Sequence, residues 1–188
     1  MKSEGERSES KWPALSERSE SKWFDRTFAL GLPVSAFPPI LARLRGTPDR
    51  LEAAVRGVVA DRLTQRPDGA WSIQEHAGHL LDLESLWDLR LDDFAAGAPV
   101  LHPADLENRK THEANHNARP VEDLLAAFRD TRRRITRRME AMSAADLARV
   151  ALHPRLQQPM SVVDLGFFVA EHDDHHLATI ARLAASMP

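Results

Sequence analysis

The sequence predicts an all-α protein, and within that class a four-helix bundle, from three observations. Four segments carry apolar residues at helical spacing, and no segment shows the sustained alternation of apolar and polar residues typical of a strand. The chain has 188 residues, of which 43% are hydrophobic, which is enough for one domain with a core and short for two. A bundle is the simplest arrangement in which four amphipathic helices bury their apolar faces.

The first long helix is predicted over residues 48 to 63. Thr47 can cap it, and Pro48 suits the first helical position because its backbone φ is already fixed. Before it, Pro33 and the pair Pro38-Pro39 predict an irregular approach rather than a long helix. The apolar positions at helical spacing are Leu51, Ala54, Val55, Val58 and Leu63.

The second helix is predicted to begin at a capping box. Ser72 and Glu75 have the spacing at which each side chain accepts a hydrogen bond from the other residue's backbone N–H. The inner stripe then advances by four and three residues through Ile73, Ala77, Leu80, Glu84, Trp87, Leu91 and Phe94. Because an unpaired buried carboxylate is costly, Glu84 must reach solvent or bind a partner. Gly97 ends the helix.

A connection of about twenty residues follows, which is long for a compact domain. It is expected to cross one end of the bundle, with a short helix between Asn108 and His116. The third helix is predicted over residues 120 to 142. Its outer face is expected to be basic, with arginines at Arg129, Arg132, Arg133, Arg134, Arg137 and Arg138.

The fourth helix places two histidines on its inner stripe. Ser161 is expected to cap its start, with Asp164 three residues on. His172 and His176 are four residues apart, so they project from one face, at positions where a core residue is expected. Each must therefore find a polar partner. A shared metal ion would serve both, and a hydrogen-bonded pair of core histidines is the alternative.

His79 of the second helix is the best candidate for a third ligand. It lies about seven residues into its helix and His176 about ten from the end of the fourth, so antiparallel helices would put the two at similar depth. His76, one turn earlier, is a weaker rival. Three imidazoles with open coordination positions indicate a catalytic type of site, suited to zinc, nickel or a related divalent ion.

Other histidines and the neighbouring acids have less specific interpretations. His175 falls beside the inner stripe, where it is expected to be exposed or to support a ligand. His102 and His153, each preceding a proline, are interpreted as loop residues. Four acids are candidates for orienting the ligands: Glu84, Glu171, Asp173 and Asp174. For the two aspartates, solvated charges beside the helix are the simpler interpretation.

The composition of the chain argues against several classes of function. The formal net charge is −3, and the chain has no cysteine, which leaves histidine and carboxylate to bind any metal. No window reaches the roughly 18 apolar residues of a membrane helix, and the N-terminus lacks the apolar core of a signal peptide. We therefore expect a cytoplasmic protein that does not associate with membranes.

Residues 1 to 21 are polar and of low complexity, and the segment ERSESKW occurs twice near the N-terminus. Two copies are too few for a stacked repeat fold, and such a composition cannot bury a core. The sequence thus predicts a disordered tail over residues 1 to 21, followed by the bundle domain over residues 22 to 188.

Two segments of the sequence resemble a known family. The segment WSIQEHAGHL, followed by Asp82-Leu83-Glu84, and the later segment EHDDHHLATI are similar to the DinB/YfiT-like family of metal-binding four-helix bundles. The resemblance covers nearly all of the chain from residue 22. It implies an up-down-down-up bundle with a long crossover between helices two and three, and frequent homodimers. It also implies a nickel or zinc ion bound by His79, His172 and His176.

Three functions follow as hypotheses. The first is a metal-dependent enzyme of the hydrolase or thiol-dependent transferase type, because the resembling family includes both. The second is a noncatalytic module that binds a metal or a small ligand. The third and weakest is nucleic-acid binding through the arginines of the third helix, since the whole chain is acidic. The substrate cannot be read from the sequence.

Overall fold

The computed structural model describes residues 23 to 186 and contains seven α-helices and two short strands over that range. The α-helices are α1 (Phe37–Val55), α2 (Ala60–Thr64), α3 (Ile73–Ala96), α4 (Arg109–Glu113), α5 (Val121–Glu140), α6 (Ala144–Leu147) and α7 (Val162–Ser186). The strands are β1 (Val150–His153) and β2 (Gln158–Ser161). The predicted tail, the start of the predicted domain at residue 22 and the last two residues lie outside the described part of the chain.

Four of these helices, α1, α3, α5 and α7, form the bundle, and cross-helix contacts fix their directions. On α3 and α5, Glu84 binds Arg132 and Asp92 binds Arg138, so positions advance together and the two helices are parallel. On α1 and α7, contacts also advance together, because Arg43 binds Glu171 and the later Arg50 binds Asp174.

The other neighbouring pairs are antiparallel. His76 of α3 lies beside His176 of α7, whereas the later His79 lies beside the earlier His172. On α1 and α5, Asp49 and Glu52 both bind Arg129, and the earlier Arg45 binds the later Glu140. Helices α1 and α5 are therefore antiparallel as well. The bundle is therefore up-down-down-up, as the family resemblance implies.

The parallel pair α3 and α5 explains the long connection between them. A helix of 24 residues is roughly 36 Å long, and the chain must return over that length before a parallel neighbour can begin. Residues 97 to 120 make this return, and α4 lies within them. This predicted crossover is confirmed, and it carries Thr111 and His116 alongside α3.

The first predicted helix has the wrong boundaries. Helix α1 begins at Phe37 and ends at Val55, with Pro38-Pro39 in its first turn, where backbone N–H groups have no helical partner. Pro48 lies inside the helix and cannot donate to the carbonyl of Leu44, four residues earlier. The guanidinium of Arg132 approaches that carbonyl instead, with Nη1 3.5 Å from the oxygen.

The two strands form a hairpin that the sequence did not predict. Strands β1 and β2 pair in antiparallel register, from Val150 opposite Ser161 to His153 opposite Gln158. Each strand has four residues, which is too short for alternation to be recognised against loop sequence. His153, interpreted as a loop residue, is buried in β1. The hairpin leads directly into α7.

The core consists of two apolar clusters separated by buried charge. One cluster contains Leu44 and Ile135, and the other contains Leu51 and Phe128. Between them lies a polar layer, which we define as Thr47, Glu84, Arg132 and Asp173; each of these residues is at most 1% exposed. Arg132 therefore does not belong to the outer basic face, and Asp173 is not a solvated charge.

The outer arginines of α5 are largely paired with acids of neighbouring helices. Arg129 binds Asp49 and Glu52 of α1. Arg138 binds Asp88 and Asp92 of α3. This pairing weakens the hypothesis of nucleic-acid binding, because these guanidinium groups already have anionic partners. Among the described residues, no helix has both the length and the apolar character needed to cross a membrane.

Candidate metal centre

Three histidines converge where α3 and α7 face each other. His79 comes from α3, and His172 and His176 come from successive turns of α7. Each offers one ring nitrogen, and these nitrogens all lie within 4.8 Å of one another. All three side chains are buried. The structure thus brings together the residues that the sequence grouped, while their role as metal ligands stays a prediction.

Local sequence sets the depth of these histidines in the bundle. The predicted capping box fixes the start of α3, with the Ser72 hydroxyl accepting from Glu75 N–H and the Glu75 carboxylate accepting from Ser72 N–H. Ser161 and Asp164 make the same pair of bonds at the start of α7. Because each helix begins at a defined residue, the rows of side chains that meet across the two helices are defined as well.

Burial keeps the three imidazoles neutral. Burial lowers the pKa of His79 to about 3, and repulsion from neighbouring imidazoles, with His76 first, adds to the shift. Burial also lowers the pKa of His172 and of His176 well below 6.5, again with repulsion between the rings as a further cause. Each ring therefore keeps a lone pair at neutral pH, so that a cation can bind without displacing a proton from these rings.

A chain of hydrogen bonds from the crossover fixes the tautomer of His79. Asp82 accepts from the Thr111 hydroxyl at 2.9 Å and from His116 Nε2 at 2.8 Å. Since the Thr111 hydrogen points to Asp82, its oxygen accepts from His79 Nδ1, 3.0 Å away. The lone pair of His79 is then on Nε2, which faces His172 Nε2 at 3.3 Å.

Gly78 provides the space for this hydrogen-bonded chain. A methyl group at this position would lie 2.2 Å from Cγ of the His116 ring, which is a severe overlap. The absence of a side chain at Gly78 thus lets His116 pack on α3 and reach Asp82. The glycine belongs to the segment that resembles the family, but the sequence alone gave no reason for it.

The four acids considered at the sequence level bind arginines or Thr47. Glu84 and Asp173 bind Arg132 in the polar layer. Glu171 binds Arg43, and Asp174 binds both Arg43 and Arg50. Asp174 is buried, so neither aspartate is a solvated charge. The ligand-orienting role of Glu84 and Glu171 stays a prediction, whereas Asp82 reaches His79 through a single hydroxyl.

A cavity of about 590 Å³ opens from the three histidines toward the hairpin. Its aromatic walls include Trp71, 4.8 Å from the His79 ring, and Trp23, 4.9 Å from the His172 ring. His76 and His175 also line it. His76 Nδ1 lies 2.9 Å from His176 Nδ1, so the weaker rival for the third ligand is a hydrogen-bond partner of His176. The volume is in the range of small-molecule sites.

Comparisons with known proteins give a family and a similar fold. The model of the DinB superfamily matches residues 43 to 180, which is most of the chain. The chain belongs to the DinB superfamily. Among solved structures it is similar to YfiT from Bacillus subtilis, with a TM-score of 0.73 and 20% identity over 84% of this chain and 91% of that one. YfiT is described as a probable metal-dependent hydrolase with an unusual four-helix bundle topology. No curated protein gives a significant match.

In this member of the DinB superfamily, the residues of the three-histidine group fit a divalent metal ion. Three neutral imidazoles from two rigid helices point their nitrogens into one small volume, which is a donor set suited to zinc or nickel. The lone pair on His79 Nε2 is directed inward by the bond to Thr111. His172 is fully enclosed and its Nδ1 has no hydrogen-bond partner among the described residues.

Replacing Thr111 with valine is expected to weaken metal binding by about 10- to 100-fold, since outer partners of metal-binding histidines have effects of this size. The variant keeps the shape of Thr111 but removes the acceptor for His79 Nδ1. The measurement is competition with a chelating dye. Thr131→Val is the matched control, because the Thr131 hydroxyl bonds only to carbonyls of its own helix. Equal affinities for the two variants would contradict the assigned tautomer.

The metal-free protein is expected to lose stability as the pH falls from about 6.5 toward 4. Folding lowers the pKa of His79, His172 and His176 from the ordinary value of 6.5, so the unfolded chain takes up protons first. The stability that these neutral histidines contribute is fully present above pH 6.5. Below that pH, each histidine can change the free energy of unfolding by up to about 1.4 kcal/mol per pH unit. Urea unfolding at pH 7.5, 6.0 and 5.0 measures it. His172→Leu should show a smaller slope, and equal slopes would contradict this origin.

Proposed function

We propose that this protein is a metal-dependent enzyme of the hydrolase type, with His79, His172 and His176 as the protein ligands of a zinc or nickel ion. The observation that carries the proposal is the set of three buried, neutral imidazoles at the wall of a cavity large enough for a small molecule. A site with three protein ligands leaves positions for substrate or water, which is typical of catalytic rather than structural centres.

A divalent ion at this position would act as a Lewis acid toward a carbonyl or phosphoryl oxygen and would lower the pKa of water. The protein's own residues would hold the site in place. Helices α3 and α7 position the imidazoles, and the bonds through Thr111 and Asp82 orient His79. Trp23 and Trp71 cover the rings and limit access of bulk water.

Hydrolysis is favoured over the other family chemistries by the description of YfiT, whose fold this chain shares. A thiol-dependent transfer reaction is the second candidate. It would need an external thiol, because the chain contains no cysteine. A noncatalytic binding module is the third, and it differs from the enzyme only in the absence of turnover. Homodimerisation and a cytoplasmic location stay predictions from the sequence.

The experiment is an assay of chelator-treated protein reconstituted with zinc or with nickel. A panel of p-nitrophenyl esters and anilides tests hydrolysis, and 1-chloro-2,4-dinitrobenzene with a small thiol tests transfer. The proposal expects hydrolysis without thiol, loss of activity on chelation and no activity in His172→Ala. Turnover that requires the thiol would support a transferase instead, and metal binding without any turnover would support a binding module.

A further inference from the structure

We propose that the end of the cavity near the hairpin is a carboxylate-binding site formed by Arg90 and Arg155, so that the substrate is an elongated, largely apolar carboxylic acid. The part of this proposal that concerns the substrate rests on the proposed function. The anion site itself depends only on residues of α3, β1 and the turn of the hairpin.

Arg90 is a buried cation without an ion pair. It is 1% exposed and lines the cavity. Its Nε donates to the carbonyl of His102 at 2.9 Å, and its Nη1 lies 3.2 Å from His153 Nε2. Among residues 23 to 186, no carboxylate forms an ion pair with it. The nearby Asp93 is bound to the backbone and ring of His102.

The contact between Arg90 and His153 contains one hydrogen too many. The backbone N–H of Leu156 donates to His153 Nδ1 at 3.1 Å, so in the neutral ring the proton is on Nε2. That N–H then faces an N–H of Arg90. In the other tautomer, the conflict moves to Leu156. In either case, one N–H donor at this end of the cavity has no acceptor among the described residues, and an anionic oxygen would provide one.

Arg155 adds a second unpaired guanidinium to the same end of the cavity. Its Cζ lies 5.4 Å from the centre of the Phe24 ring and 5.9 Å from that of Phe168, so it is held between aromatic side chains. Its Nη2 is buried and has no hydrogen-bond partner among the described residues. Asp105 is the carboxylate that lines the cavity, and it binds the backbone and side chain of Arg109 instead.

The pKa values agree with a positive field at this end of the cavity, which the carboxylate of Asp93 offsets only in part. Burial lowers the pKa of Arg90 to about 10 and that of His153 to about 3, and the neighbouring arginines add to the shift of His153. Burial likewise lowers the pKa of Arg155. Both guanidinium groups nevertheless stay charged at neutral pH, while His153 is neutral. The site therefore offers two positive charges and several N–H donors to an anion.

A carboxylate suits this site better than a phosphate. Its single charge costs less to remove from water than the double charge of a phosphate monoester, and its planar oxygens match a guanidinium. The distance to the metal centre sets the ligand's length. Arg90 is eleven residues after His79 on α3, which corresponds to roughly 16 Å along the helix. The ligand must therefore be elongated, with an apolar part against Trp87 and Phe168, which both line the cavity.

The test is calorimetric titration of chelator-treated protein with 4-phenylbutyrate and with its uncharged amide. Removing the metal ensures that the acid cannot bind through a metal ion. We expect the acid to bind about 10- to 100-fold more tightly than the amide, as for hydrogen bonds to charged groups. Arg90→Met and Arg155→Met should each remove this preference. Arg56→Met is the control, since Arg56 is exposed just after the end of α1 and, among the described residues, pairs with Glu52 four positions earlier.

Equal affinity for acid and amide, or an unchanged preference in Arg155→Met, would overturn the proposal. So would tighter binding of phenyl phosphate than of the acid, or acid binding that appears only after zinc is added. Arg155 is less buried than Arg90, so that variant remains informative if Arg90→Met does not fold. Zinc binding, measured on the same protein preparations after zinc is added back, separates the two proposals: an arginine-dependent preference without zinc binding would retain the anion site alone, and the reverse would retain the metal centre alone.

Discussion

Replacing Arg132 with methionine is expected to destabilise the protein by about 3 to 5 kcal/mol, the usual cost of removing one partner from a buried ion pair. Arg132 is 1% exposed, binds Glu84 of α3 and Asp173 of α7, and approaches the Leu44 carbonyl that Pro48 leaves free. Methionine fills similar space but leaves two buried carboxylates without their cation. Unfolding by urea, followed by circular dichroism, measures the loss.

Two further variants separate this charge effect from packing. Arg133→Met changes the neighbouring residue, which is exposed and pairs only with Asp130 on its own helix, and it should change stability by less than about 0.5 kcal/mol. Arg132→Met combined with Glu84→Gln and Asp173→Asn removes all three charges and should recover part of the lost stability. No recovery in the triple variant would contradict the view that stranded charge causes the loss.

The pKa values of this layer support the same expectation. Burial raises the pKa of Glu84, and the nearby Arg132 opposes that shift. Burial disfavours the charged form of Arg132, but Asp173 and Glu84 outweigh it and raise the pKa of the guanidinium. Without Arg132, nothing in this contact opposes the burial of Glu84. The pKa of Glu84 should then rise further, so that the variant is less destabilised at pH 6 than at pH 8.

Replacing His172 with alanine is expected to weaken zinc or nickel binding by more than about 100-fold, because a lost ligand should cost more than a lost outer partner. The ring of His172 lies close to both other members of the group, 4.5 Å from that of His176 and 5.3 Å from that of His79. Metal content after dialysis and competition with a chelating dye measure the change. The metal-free variant should stay folded, because its helices keep their other contacts.

His112→Ala is the matched control for this variant. His112 and His116 form the second pair of histidines four residues apart in the sequence, yet His112 is exposed on α4 and lies outside the group of three. Its loss should leave the metal affinity within about threefold of the original value, as expected for a surface substitution. A similar loss of affinity in both variants would mean that the site is not confined to α3 and α7.

Much of the bundle was predictable because its signals are local. The capping boxes at Ser72 and Ser161 define where α3 and α7 begin, and helical spacing then puts His172 and His176 on one face. The absence of strand alternation gave the correct class, and the length of the connection before α5 gave the crossover. These features depend on residues that are close together in the chain.

Two of the errors, those at Pro48 and Arg132, depend instead on residues that are distant in the sequence. Pro48 suggested a helix start, but it lies inside α1, where it has no N–H to donate to the Leu44 carbonyl. Arg132, 84 positions later in the chain, approaches that carbonyl instead. Arg132 falls four residues after Phe128 and three before Ile135, so its position on the inner stripe was visible. Its charge favoured the outer face, and only the carboxylates of two other helices make its burial acceptable.

In the candidate site, too, some residues were predictable from local patterns and others were not. The three histidines could be grouped from periodicity and depth, whereas Thr111 and His116 lie on the crossover, whose path no local pattern specifies. Gly78 was the available signal, as a glycine inside a helix one residue before a candidate ligand. The cationic end of the cavity depends on the hairpin, which was too short to predict, so that His153 and Arg155 could not be connected with Arg90.

The central claim is that His79, His172 and His176 together bind one divalent ion. The most direct measurement is an anomalous-difference map from a crystal of protein purified without chelator and supplied with zinc, collected on both sides of the zinc absorption edge. We expect one strong peak within bonding distance, about 2.0 to 2.1 Å, of a nitrogen from each of the three rings. A map with no peak between these rings, or with its main peak at other residues, would contradict the claim.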